Sequence, residues 1–240
     1  MSPNIRSLFL LVFVGGLLAG CAAPATIPPT PTQSPPTQTP PTSTPTLVTQ
    51  QVDISAGEGN ETVSAKVTGS GETAIIIADT GLDTYSQWAP LVDALKTNTN
   101  LRIVTFAYRD ITSTGFEDIT AVLDYVRAEG IQKIVCVGAG IGSRYCTNLQ
   151  KEPDMIGIVL ISADGLAIDS DFPKLFLTAE TDPFGMAGST ERVYNQSAEP
   201  KAFNTYPASA HGPALFSKED VGPQALADIT SFINEIVNGQ

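Results

Sequence analysis

The sequence predicts an α/β fold, a doubly wound and mostly parallel sheet with helices on both faces. Apolar runs of strand length alternate with helical patterns along the chain, which is typical of repeated β–α units. Runs such as T-A-I-I-I-A (73–78) and K-L-F-L-T-A (174–179) are almost entirely apolar, as buried parallel strands are. In the stretch 135–143, V-C-V-G-A-G-I-G-S, a glycine-rich turn joins an apolar run to a polar one. Such a strand–turn–helix lies at the ligand-binding end of a parallel sheet.

The individual elements follow from apolar periodicity and from the turn residues that separate them. Strands are predicted at 62–68, 73–78, 101–107, 134–137, 155–162, 174–179 and 201–206, with the alternating run 62–68 as a first, edge strand. Helices are predicted where apolar residues recur three and four positions apart. These helices are 86–95, 117–129, 143–149, 188–197 and 223–237.

Residues 1–20 are predicted to be a signal peptide outside the fold. Arg6 precedes an apolar run at 8–18. This run is too short to span a bilayer, which requires about 20 residues. The segment ends in Leu18-Ala19-Gly20-Cys21, which resembles the lipobox of bacterial lipoproteins. The resemblance implies a lipidated Cys21 as a membrane anchor, and a location in the cell envelope on the extracytoplasmic face of a bacterial membrane. The alternative is an ordinary secreted protein with a chance cysteine.

Residues 21–47 begin with Cys21 and continue as a Pro/Thr-rich tract without charged residues. Repeated proline favours an extended polyproline conformation, so the tract is predicted to be a spacer between the anchor and the domain. A proline-rich ligand for a partner module is the alternative. Residues 48–240 are enough for a single domain with its own core.

Charge and cysteine content narrow the function classes. The chain has 25 acidic and 13 basic residues and a formal net charge of −12 at pH 7. Nucleic-acid affinity depends on Lys and Arg, so we expect no nucleic-acid partner. With Cys21 assigned to lipid, Cys136 and Cys146 remain. We expect them to be free, buried thiols, although an extracytoplasmic location also allows a disulfide.

The glycine-rich turn has two interpretations. In a hydrolase nucleophile elbow, G-x-S-x-G, Gly138 and Gly142 are the framing glycines and Gly140 takes the nucleophile position. In a dinucleotide fingerprint, G-x-G-x-x-G, Gly138 and Gly140 fit and Ser143 replaces the third glycine. Asp164 then stands about 20 residues on, where that fingerprint has an acid. Such a fingerprint usually opens its domain, whereas three predicted strands precede this one, so we favour the elbow.

From about residue 73 to residue 238 the order of motifs resembles the α/β-hydrolase superfamily, closest to small, lid-less esterases and dienelactone hydrolases. The series is Thr80-Gly81, Trp88-Ala89-Pro90-Leu91, Tyr108-Arg109-Asp110, Asp118 with Leu123-Asp124-Tyr125, the elbow, Asp182 and His211. In that family the chain order is nucleophile, acid, histidine. The resemblance implies that Asp182 is the acid and His211 the base, while Gly140 occupies the nucleophile position without an attacking atom.

The resemblance also implies an oxyanion hole formed by backbone N–H groups of Ile141 and Leu82, the latter in the turn that contains Gly81. Ser143 lies in the first turn of the following helix, where we expect it to cap that helix, and Cys136 lies inside the strand. Neither position suits a nucleophile.

Two functions remain open at this point. One is a non-catalytic homologue that binds a small ester- or carboxylate-like ligand or a partner. The other is an esterase-like hydrolase in which Asp182 and His211 activate water. We predict neither a metal nor a cofactor.

Overall fold

The computed structural model describes residues 47–57, 59–81 and 85–239. The predicted signal peptide, Cys21 and the predicted spacer up to residue 46 lie outside the described residues, and so does Leu82. The described strands are β1 (Thr49–Ser55), β2 (Thr62–Thr68), β3 (Thr73–Ala78), β4 (Leu101–Phe106), β5 (Lys133–Ala139), β6 (Met155–Ile161), β7 (Lys174–Ala179) and β8 (Lys201–Tyr206). The helices are α1 (Ala89–Leu95), α2 (Gly115–Ala128), α3 (Ile141–Asn148), α4 (Met186–Gln196) and α5 (Gly222–Asn238), and two short 3-10 helices lie at Leu149–Lys151 and Gly212–Ser217.

The strands form one sheet in the order β1-β2-β4-β3-β5-β6-β7-β8. The pairs β1–β2 and β2–β4 are antiparallel, and every pair from β4 to β8 is parallel. This confirms the predicted fold class, a mostly parallel sheet with helices between its strands.

One strand was missed by the periodicity. The sheet has β1 at one edge and β8 at the other, and the run 62–68, which was predicted to be an edge strand, is the second strand. Strand β1 reads T-Q-Q-V-D-I-S, and only Ile54 in it is buried. Because an edge strand in solvent needs little apolar surface, its sequence gives a weak strand signal.

Each face of the sheet carries its own core. Alternate residues of β3 point to opposite faces: Ile76 joins the cluster under α2, α3 and α4, whereas Ile75 and Ile77 join the cluster under α1 and α5. This alternation is the period of two expected of a strand that is buried on both sides. Because its two faces are both covered, the sheet leaves its strand ends as the place for a site.

The two remaining cysteines form a disulfide, so the expectation of free thiols was wrong. Cys136 in β5 is bonded to Cys146 in α3, with 5.6 Å between the Cα atoms. The reason is geometric, because α3 runs back along β5 directly after the glycine-rich turn. A strand residue and a helix residue that are ten positions apart in the sequence therefore come into contact. Spacing alone does not reveal this packing.

No helix in the described part of the chain has the length and apolar character needed to cross a membrane.

Candidate active site

The glycine-rich turn lies where the strand order of the sheet reverses. Along the chain, β3 is followed by β4 and then by β5. In the sheet, β4 lies on one side of β3 and β5 lies on the other. In open α/β sheets the crevice at such a reversal, beyond the carboxyl ends of the strands, is where ligands bind. Thr80 follows β3 and Gly140 follows β5, so both lie at this crevice.

Gly140 has the backbone conformation of a sharp strand-to-helix turn. It precedes α3 with φ 53° and ψ −122°. An L-residue with a side chain rarely adopts such a conformation, and holding one there costs on the order of 1–3 kcal/mol. Glycine relieves this strain because it has no Cβ atom.

The two framing glycines are required by close backbone packing. A Cβ atom on Gly142 would lie 2.1 Å from the carbonyl oxygen of Ala78, and one on Gly138 would lie 2.7 Å from the carbonyl oxygen of Gly142. The first turn of α3 is therefore pressed against the end of β3. This packing accounts for both glycines of the elbow frame without a bound phosphate.

The predicted acid and base lie next to each other. The Nδ1 atom of His211 is 3.0 Å from Oδ2 and 3.2 Å from Oδ1 of Asp182. The Asp182 carboxylate is buried and also accepts a hydrogen bond from the backbone N–H of Phe184 at 2.9 Å. On the other side of His211, the Gly212 N–H donates to the Ser162 hydroxyl at 2.9 Å. Asp182 thus holds the imidazole ring, and Ser162 holds the segment directly after the histidine.

The free nitrogen of His211 faces the elbow. A Cβ atom on Gly140 would lie 3.0 Å from Nε2 of His211 and 3.3 Å from Cγ2 of Thr80. With Asp182 accepting the Nδ1 proton of the neutral ring, Nε2 carries the lone pair. A group that rests on Gly140 is therefore within reach of a nitrogen that accepts a proton or, once protonated, donates one.

A pocket of about 250 Å³ opens over this arrangement. It is lined by Thr80, Gly140, Ile141, Asp164, Phe184, Met186 and His211. Ile141 is the first residue of α3, so its N–H is one of those that a helix leaves without an intrahelical partner.

Of the two other predicted oxyanion residues, the structure describes only Gly81. Leu82 lies outside the described residues. The N–H of Gly81 donates to Oδ2 of Asp79 at 3.2 Å, so it is engaged within its own turn.

Ser143 neither caps α3 nor faces the pocket. Its side chain is buried, and its hydroxyl donates to the Gly140 carbonyl oxygen and accepts from the Asp164 N–H at 2.8 Å. The expectation of a helix cap was therefore wrong, because the hydroxyl ties the elbow to the segment that follows β6. Asp164, the acid of the dinucleotide interpretation, pairs with Arg144 on α3 at 2.5 Å.

Two buried carboxylates that support the site were not singled out as such from the sequence. Asp79 accepts a hydrogen bond from the indole N–H of Trp88 at 2.6 Å, and this bond holds the turn after β3. Asp118 on α2 pairs with Arg109 at 2.6 Å and fixes the segment after β4. The available signal was an acid beside an apolar run, which is common in exposed turns as well.

The segment after β4 packs directly against the Gly81 turn. A Cβ atom on Gly81 would lie 2.3 Å from Cδ1 of Ile111. Burial raises the pKa of Tyr108 well above its ordinary value, and the nearby Tyr145, Asp79 and Asp118 add to the shift. Hydrogen bonds from Thr112 and Ser113 lower the pKa of Asp110 to about 2. Neither Tyr108 nor Asp110 lines the pocket that His211 faces.

No cluster of His, Cys, Asp and Glu suited to a metal ion occurs among the residues that the structure describes.

Comparisons with known proteins identify the fold. No protein-family model matches the chain, and no curated protein matches it by sequence. Among solved structures, an esterase from Pyrococcus furiosus is similar with a TM-score of 0.67 at 11% identity, over 80% of this chain and 92% of that one. Dienelactone hydrolase from Anabaena variabilis gives a TM-score of 0.62 at 15% identity, over 80% and 97% of the two chains. Alpha/beta hydrolase domain-containing protein 10 from mouse gives 0.65 at 12% identity, over 78% and 99%. The chain therefore has the α/β-hydrolase fold.

Proposed function

We propose that this protein is a non-catalytic member of the α/β-hydrolase fold, held on the extracytoplasmic face of a bacterial membrane by a lipidated Cys21, which binds a small ester- or carboxylate-like ligand at Gly140. The observation that carries the proposal is that a glycine stands in the elbow conformation directly below His211 Nε2. The acid, the base and the pocket are retained around a position that has no atom to acylate.

Among the residues that the structure describes around the elbow, none replaces the missing nucleophile. The Ser143 hydroxyl is buried in hydrogen bonds to Gly140 and Asp164, and Cys136 is committed to a disulfide. Thr80 lines the pocket, but its methyl group faces position 140. Without a nucleophile, no covalent acyl-enzyme intermediate can form.

The disulfide supports the proposed location. Disulfides persist in oxidising compartments outside the cytoplasm. A lipobox-like segment that ends at Cys21 and a Cys136–Cys146 bond in the domain both fit a protein that is exported before it matures.

The proposal is tested with a fluorophosphonate probe, which phosphonylates activated serines with loss of fluoride. We expect the purified protein to remain unlabelled and to hydrolyse short p-nitrophenyl esters no faster than buffer does. Stoichiometric labelling of the unmodified protein would contradict the proposal.

A second candidate function is a hydrolase in which the Asp182–His211 pair activates water. It is favoured by the 3.0 Å hydrogen bond between the two residues and by the direction of Nε2 toward position 140, where a glycine leaves room for water. In this case ester hydrolysis exceeds the buffer rate in the unmodified protein and is lost in His211→Ala. Equal rates in both proteins rule this candidate out.

A further inference from the structure

We infer that the ligand of this pocket is a monocarboxylate with an apolar tail, and that it binds together with one proton, which is taken up by His211. The inference rests on the proposed function and narrows its ligand from esters and carboxylates to the carboxylate alone.

Two residues that line the pocket, His211 and Ile141, can donate hydrogen bonds to a ligand. Protonated His211 donates from Nε2 toward Gly140, and the N-terminus of α3 donates from Ile141. The positive end of the helix dipole adds to the attraction for an anion. Two donors in one pocket can each bond one of the two oxygens of a carboxylate.

The walls of the pocket are apolar. Ile141, Phe184 and Met186 line it together with the histidine. Phe184 is 64% exposed, and its ring centroid lies 4.7 Å from that of His211 in an edge-to-face arrangement. Its backbone hydrogen bond to Asp182 holds this exposed ring beside the site. The apolar tail of such a ligand extends from its carboxylate over this surface and shields the surface from water.

The charges that face His211 set the direction of the pH dependence. Asp182 lies against Nδ1, and Asp164, which pairs with Arg144 of α3, lines the same pocket. Asp182 contacts Nδ1 and not the Nε2 atom that faces Gly140. Arg144 offsets the charge of Asp164, which would otherwise repel an anionic ligand. The neutral ring turns a lone pair toward the pocket, which repels a carboxylate, whereas the protonated ring donates to it. Binding therefore favours the protonated ring, so affinity should rise as the pH falls.

An ester is a poorer match than a carboxylate for the same donors. A carbonyl oxygen of an ester is neutral and gains less from an imidazolium than a carboxylate does, because charge-assisted hydrogen bonds are the stronger kind.

The experiment is calorimetric titration of the full domain with hexanoate, and with hexanamide as its neutral counterpart, at about pH 5.5 and about pH 7.5. We expect the Kd of hexanoate to rise by about tenfold or more between the two pH values, because binding is linked to proton uptake. Titration in buffers of different ionisation enthalpy should report uptake of about one proton for each hexanoate at the higher pH. Hexanamide should bind more weakly and without pH dependence.

Three variants separate the contributions. In His211→Gln, which keeps a donor but does not titrate, hexanoate should bind with the same Kd at both pH values. In Phe184→Ala the Kd should rise severalfold at both pH values with an unchanged ratio between them. Phe116→Ala removes another exposed aromatic ring, on α2 and away from the pocket lining, and should leave both values unchanged.

The inference is overturned if hexanoate does not bind to the folded protein at either pH, if its affinity is independent of pH, or if hexanamide binds equally well. Failure of the proposed function is read separately, from fluorophosphonate labelling of the same preparation. A protein that is labelled and binds hexanoate would contradict the proposed function. A protein that is unlabelled and does not bind hexanoate would contradict the inference.

Discussion

The two halves of the candidate site differ in what they retain. The base half, formed by Asp182, His211 and the Ser162–Gly212 contact, keeps complete side-chain hydrogen bonding. The elbow half, residues 138–143, keeps its backbone geometry and its close packing on β3, but its central residue has no side chain. The comparison shows that the elbow is maintained by backbone sterics and does not need the catalytic atom.

The halves are also stabilised by different means. The elbow half is crossed by a covalent bond from β5 to α3 and by the buried Ser143 hydroxyl. The base half depends on hydrogen bonds between loops that follow β6, β7 and β8. Substitutions in the two halves should therefore have effects of different kinds.

The largest effect is expected from placing a serine at the elbow. Gly140→Ser puts an oxygen beside His211 Nε2 and should make the protein react with a fluorophosphonate. Ester hydrolysis should rise by on the order of 10²–10³-fold over the glycine form. The new Cβ atom, 3.0 Å from Nε2, requires His211 to move by a few tenths of an ångström. Labelling followed by mass spectrometry, together with initial rates, measures the gain.

Gly140→Ala is the matched control for this substitution. Both variants carry the backbone strain of a side chain at positive φ, so both should lose about 1–3 kcal/mol of unfolding free energy, but only the serine variant should react. If neither reacts, the base half has moved away from a productive position, and the contrast between the halves fails.

The next largest effect concerns the covalent bond of the elbow half. Replacing both Cys136 and Cys146 by alanine removes a cross-link between residues ten positions apart. The chain-entropy relation then predicts a loss of about 3 kcal/mol in unfolding free energy, measured by urea denaturation. A loss below about 1 kcal/mol would show that backbone packing alone holds the elbow.

The smallest effect is expected in the base half. Ser162 is buried, has a φ of 50°, and accepts the hydrogen bond from the N–H of Gly212. Ser162→Ala should cost about 1–3 kcal/mol, since it leaves a buried donor without its acceptor. Ser162→Gly loses the same bond but relieves the left-handed backbone, so it should cost about 1 kcal/mol less. Thermal unfolding of the two variants checks this order; an alanine variant as stable as the unmodified protein would contradict it.

Much of the fold could be predicted from the sequence because its inner strands are apolar on both faces. Strands β3 and β7 begin and end at the predicted residues. So do β2, whose place in the sheet was misjudged, and the edge strand β8, in which Phe203 and Tyr206 favour a strand. The order Thr80-Gly81, glycine-rich turn, Asp182, His211 was sufficient to predict the α/β-hydrolase fold. Strand β1 was not predictable in the same way, because an exposed edge strand carries few apolar residues.

The contacts that support the site could not be predicted from the sequence. The pairing of Cys136 with Cys146 depends on how α3 lies along β5, and the hydrogen bonds of Ser143 depend on where the segment after β6 passes. The hydrogen bond between Asp79 and Trp88 joins two residues that are nine positions apart. No local sequence pattern specifies the backbone conformation that brings them together. These contacts arise from tertiary packing, which single-residue patterns do not encode.

The positive φ of Gly140 also bears on how this protein varies by mutation. Some glycine codons become serine codons by a single base change, and the turn that receives the new side chain already has the shape of an elbow. A gene encoding such a protein thus lies a short mutational distance from an encoded nucleophile, and the step costs stability before it yields activity. In a bacterial strain whose growth depends on ester cleavage by this protein, the frequency of Gly140→Ser mutants would measure this step.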